Sequence, residues 1–170
     1  MSKYERNTVI VAVFENESAA AGAQAGLEHW DGTRRDVKLG SIGFLQIEDG
    51  EVKSTLVRKE NKGILVNGAM GLVRSMLGPI AVVGDVVGGV AKSFLKNDAE
   101  ETPLVFQQLS AFMDAGGVTM ILVAEEAVAQ AHSRQLQAMG GRVTTHIVPQ
   151  EVLEEVDAAL QEAEAQAKDA

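Results

Sequence analysis

One stretch sets the terms for any fold of this chain. Residues 64–96 read ILVNGAMGLVRSMLGPIAVVGDVVGGVAKSFLK, glycine-rich and almost wholly apolar. Each glycine inside a helix costs about 1 kcal/mol relative to alanine. A segment that carries Gly68, Gly71, Gly78, Gly84, Gly88 and Gly89 needs a compensating gain. Close approach of one helix backbone to another is the usual one. Leu77-Gly78-Pro79 sits near the middle, and glycine ends a helix as readily as proline starts one. The stretch therefore predicts a helical hairpin. Neither arm reaches the roughly 20 apolar residues a membrane-spanning helix needs. The whole run would span once only by placing Gly-Pro, Arg74 and Asp85 at depth, where charges require partners. The expected arrangement is a hairpin packed against itself and against copies of itself. Arg74 and Asp85 lie on opposite arms at similar distances from the turn, which predicts a pair across the hairpin.

The flanking segments read as an ordinary α/β chain. Residues 8–14 (TVIVAVF) are a β-branched apolar run of strand length, followed by a helix over about 18–30 that Asn16 or Ser18 can cap. Residues 37–47 (VKLGSIGFLQI) read as a strand in which Gly40 and Gly43 mark a bulge or a close neighbour. Asp49-Gly50 is a hairpin turn signal, and residues 52–58 form the return strand. Past the glycine-rich stretch, Thr102-Pro103 opens a helix that Gly116-Gly117 stops. Residues 118–124 (VTMILVA) read as a buried strand. A helix over about 126–139 ends at Gly140-Gly141. Residues 142–148 (RVTTHIV) alternate as a half-exposed strand, and Pro149 opens a last amphipathic helix with Val152, Val156, Leu160 and Ala163 on one face.

The 170 residues read as a single domain, 1–170. It comprises a first half (8–58), the glycine-rich insert (64–96) and a second half with its flanking helices (102–170). Each half runs strand, acidic turn, alanine-rich helix, strand. Two such βαβ halves sharing one sheet predict an α/β (α+β) fold, a ferredoxin-like sheet with an inserted glycine-rich helical hairpin and a C-terminal helix. With no cysteine, disulfides, thiolate catalysis and zinc–thiolate sites are excluded, and a reducing cytoplasm is the expected location. The N-terminus carries charges and no signal-type apolar region. Charge is uneven. Residues 1–97 hold 12 Lys/Arg against 11 Asp/Glu, and residues 98–170 hold 3 against 13, a balance of −10, which together with the +1 of the first part gives the net −9. Such an acidic half, with aromatics at 4% of the chain, argues against a nucleic-acid partner.

The order of these features resembles a bacterial domain-of-unknown-function family labelled predicted membrane protein or grouped with general-stress proteins. The matching features are the acidic strand end at Phe14 to Glu17, the turn at Asp49-Gly50, and the glycine-rich middle from Gly68 to Gly89. The strand end at Leu122 to Ala127 and the strand start at Gly140 to Val143 complete the set. The resemblance implies a stress association and membrane contact and carries no catalytic residues. This insert departs from the family's glycine–alanine run by holding Arg74, Asp85 and Lys92.

No constellation of reactive side chains supports an enzyme. His29, His132 and His146 fall on three elements with no i, i+4 pair, so they read as scattered side chains rather than metal ligands. Glu125-Glu126 closes a strand and opens a helix, which reads as helix capping. Residues 84–93 (GDVVGGVAKS) imitate a phosphate loop, but Val90 stands where lysine is required and Lys92 comes two residues late. Arg58, Lys59 and Lys62 form a small basic cluster that reads as a solvated strand end, with an anionic lipid surface or an acidic partner as the alternative.

The expected function is non-enzymatic self-assembly, without cofactor or metal. The partner is the chain itself, through Gly68, Gly71, Arg74, Gly78, Gly84, Asp85, Gly88 and Gly89. The alternatives are a membrane-associated protein that inserts the hairpin into the bilayer, and a small-molecule-binding regulatory module. A double-mutant cycle on Arg74→Ala and Asp85→Ala, read out on assembly, is expected to show coupling; additive effects would dismiss the pair.

Overall fold

The computed structural model describes residues 6–33, 40–49, 51–58, 63–75 and 111–168. In chain order these hold β1 (Arg6–Phe14), α1 (Glu17–Thr33), β2 (Ile42–Glu48), β3 (Glu51–Arg58), α2 (Gly63–Ser75), β4 (Val118–Ala124), α3 (Glu126–Ala138), β5 (Arg142–Pro149) and α4 (Gln150–Lys168). The sheet has five strands in the order β3-β2-β4-β1-β5. Every neighbouring pair is antiparallel. β1–α1–β2 and β4–α3–β5 are two strand–helix–strand units whose strands interleave in this order, and β3 extends the sheet beyond β2.

Both faces of the sheet are buried. Ile10, Ala12 and Phe14 of β1, with Met120 and Leu122 of β4, pack under Ala20, Ala23 and Leu27 of α1 and Ala129 and Leu136 of α3. The alternate residues Val9, Val11, Val13, Ile121 and Val123 pack under Val66, Ala69, Met70 and Val73 of α2 and Leu153 and Val156 of α4. The period-2 geometry of a strand sends successive side chains to opposite layers, so the central strands must be apolar throughout. β4 is buried at all seven positions. The molecule is thus three layers, helices on either side of one sheet.

Local chemistry explains most of the boundaries. The Ala19 N–H donates to Asn16 Oδ1 at 2.8 Å, a side-chain cap on α1. β2 and β3 are joined by two residues, with Glu48 paired to Glu51 across the turn. Asp49 sits at φ 54°, the left-handed region that a two-residue hairpin requires and that aspartate tolerates. The helical residues 111–114, which precede β4, and α3 end alike. Gly140 adopts φ 92°, its N–H donates to the Gln137 carbonyl, and the Gly141 N–H donates to the Leu136 carbonyl. Gly116 at φ 101° and Gly117 repeat the pattern onto Met113 and Phe112. These are Schellman closures, in which a left-handed glycine lets the chain cap the last carbonyls of its own helix.

Two expectations need adjustment, and a third holds. The second strand begins at Ile42, not at 37; Gly40 and Ser41 precede it outside the sheet, and residues 34–39 lie outside those described. Gly43 fulfils both readings made for it. The β2–β3 register shifts between Ile42 and Gly43, and the Met70 thioether of α2 presses on the site a side chain would fill. Glu125 occupies the cap position of α3 with extended backbone, but its side chain makes no capping hydrogen bond. Its carboxylate can favour the helix only through the field of the helix terminus. Asn16→Ala is expected to lower stability by about 1 kcal/mol, seen as a lower urea midpoint at unchanged slope.

Candidate functional site

The glycine-rich stretch enters the described structure as α2, its first arm. Residues 76–96, including Gly78, Gly84, Asp85, Gly88 and Gly89, lie outside the described residues. Among the described elements, α2 packs on α4 and on β2 and β4. Gly68 and Gly71 are buried. A Cβ at Gly68 would overlap the carbonyl oxygen of Leu153 on α4. The absence of a side chain therefore lets the two helix backbones meet, the gain that offsets glycine's cost in a helix. Gly68 of the first arm thus serves a contact internal to the chain, and Gly71 is buried in the same helix. Arg74 is in the last turn of α2.

The chemistry-bearing residues do not converge. His29 on α1 is exposed. His132 on α3 is buried, 1% exposed, with its ring edge-on to Trp30 of α1 at 5.4 Å between centroids and 85° between planes. This is the favourable T-shaped geometry, and it ties α1 to α3. His146 is half-buried on β5, with Nε2 3.2 Å from Thr144 Oγ1. Among the described residues no three His, Cys, Asp or Glu side chains are grouped to hold a metal ion. Arg58 ends β3, and Lys59 and Lys62 lie outside the described residues, as does the whole of residues 84–93. No described helix is long and apolar enough to cross a membrane.

Several features were missed in the sequence. Asp157 of α4 is 6% exposed and accepts a hydrogen bond from Gln161 at 3.0 Å. Its position one residue after Val156 places it on the buried stripe, next to the face read from the apolar spacing. The Arg142 guanidinium lies 5.7 Å from the centroid of the Phe112 ring, a cation–π contact that pins the start of β5 to the segment before β4. Ile147 of β5 is 46% exposed, the exposed large hydrophobic side chain among the described residues. The alternation of RVTTHIV put β5 at a half-exposed position but did not single out Ile147.

No protein family, curated protein or solved structure matches the chain.

Gly68→Ala tests the α2–α4 contact. Helix propensity alone would favour alanine by about 1 kcal/mol. Overlap with a backbone oxygen cannot be relieved by a rotamer change, and overpacking of this kind costs about 1–3 kcal/mol. The expected outcome is a lower urea midpoint; a higher one would show that the helices do not meet at this residue.

Proposed function

We propose that this protein is a non-enzymatic, self-assembling protein of bacterial stress-associated type, acting in the cytoplasm and associating through the remainder of its glycine-rich stretch. We further read the sheet as ferredoxin-like. The order β5-β1-β4-β2, built from two strand–helix–strand units, supports that reading, with β3 as an added edge strand. A two-layer sheet of this kind leaves one face open for ligands or partners. Here α2 and α4 cover that face. Among the described residues, the sheet's edges remain for a partner.

The observation that carries the proposal is Gly68. In the first arm, a glycine buys contact between two helix backbones. Gly84, Gly88 and Gly89 repeat the same composition in the second arm, with Gly84-x-x-x-Gly88 at the one-turn spacing of a small-residue helix seam. A second helix of small residues beside copies of itself would close a symmetric oligomer.

Native mass spectrometry on protein purified without detergent is the direct test. A discrete multimer is expected. Gly88→Leu should break the assembly while circular dichroism shows the sheet still folded. An oligomer unchanged in that variant would refute the seam, and protein recovered only from the membrane fraction would replace it with the bilayer reading.

A further inference from the structure

The two edges of the sheet differ in chemistry. β3 forms one edge and reads EVKSTLVR, with Lys53 exposed and 3.7 Å from Glu48. A lysine on an edge strand is a common obstacle to pairing with another chain. Among the described strands, β5 forms the other edge. Between Arg142 and Pro149 it reads VTTHIV, β-branched at every position but the histidine and without an acid or a lysine. Ile147 stands 46% exposed on it. A β-branched edge that carries no acid or lysine and exposes an isoleucine is built to pair.

We infer that β5 is an interface for a second copy of this chain, pairing antiparallel with the partner's β5 about a two-fold axis at Thr145. This inference deepens the self-assembly reading and rests on it, at a surface separate from the glycine-rich stretch. The register follows from the strand's own sequence. Centring on Thr145 sets Ile147 across from Val143 of the partner subunit, Thr145 across from itself, and His146 across from Thr144 of the partner subunit. It also uses seven residues, 142–148, of the strand.

Face and charge agree with this register. Val143, Thr145 and Ile147 pair with Ala12, Ile10 and Thr8 of β1, so they share the α1/α3 face of the sheet. A register that matches odd residues with odd keeps that face continuous through both copies. The apolar pair of Ile147 and Val143 then covers the side chain the single chain leaves exposed. At each end of the ribbon, exposed Arg142 comes opposite Val148 of the partner subunit, where the partner's α4 is about to begin. That helix opens with exposed Glu151, Glu154 and Glu155. Cation meets acid at both ends, and the two-fold repeats the contact.

The chain has no cysteine, so one introduced thiol reports the register without background. Directly opposed residues of an antiparallel pair have Cα atoms about 4.5–5.5 Å apart, within the range a disulfide spans. Under mild oxidation, Thr145→Cys is expected to give a covalent dimer, and Thr55→Cys on the exposed part of β3 is not. Thr145→Lys, which sets two like charges face to face, is expected to shift the native mass by one pairing step, and mixing it with Thr145→Asp to restore the pair. Gly88→Leu is expected to leave the Thr145→Cys cross-link intact. Failure of Thr145→Cys to cross-link, or cross-linking at Thr55 with equal ease, overturns the inference. Should the wild type still be a multimer that Gly88→Leu dissociates, only the edge is refuted and the glycine seam stands. A wild type with the mass of one chain refutes both.

Discussion

A strand buried on both faces commits a protein to two layers of cover. β1 and β4 are apolar at consecutive positions, so neither face of the sheet they centre can be left to water. The first cover, α1 and α3, comes from the connections that link the strands in the two strand–helix–strand units. The second has to be recruited from elsewhere in the chain. α2 lies between β3 and β4 in sequence, and α4 follows the last strand. The rest of the architecture depends on these two helices lying close enough to seal one face, and at Gly68 the backbone of one leaves no room for a side chain against Leu153 of the other.

Much of this was legible before any coordinates. The strands β1, β3, β4 and β5 lie within two residues of where apolar runs and turn residues placed them. The Asp49 turn, the Asn16 cap and the glycine closures at 116–117 and 140–141 are set by chemistry that acts over three or four residues, so a sequence displays it directly. Gly43 was legible for the same reason, as a residue whose missing side chain has to be explained by a neighbour.

What the apolar stretch packs against was not legible. Periodicity identifies which face of a helix avoids water and says nothing of what covers it. A glycine-rich helix seeking a close neighbour reads the same whether that neighbour is a second arm, another copy or a C-terminal helix some 85 residues on. Composition pointed to assembly; the described first arm meets α4 and the sheet. The buried Asp157 and the exposed Ile147 escaped for a related reason. Asp157 lies one residue past the apolar face read for its helix and Ile147 lies on the face of β5 shared with Val143, and whether either is covered depends on packing between elements distant in sequence.

Trp30 is the chain's lone tryptophan, and it sits in the α1/α3 layer with His132 edge-on to its ring. Its emission therefore belongs to one side of the sheet. The α2/α4 layer, held by aliphatic side chains and the Gly68 contact, is dark by comparison. The protein is born with an optical label on one of its two helical coats, so fluorescence and far-ultraviolet dichroism together distinguish shedding of the recruited coat from collapse of the whole sandwich.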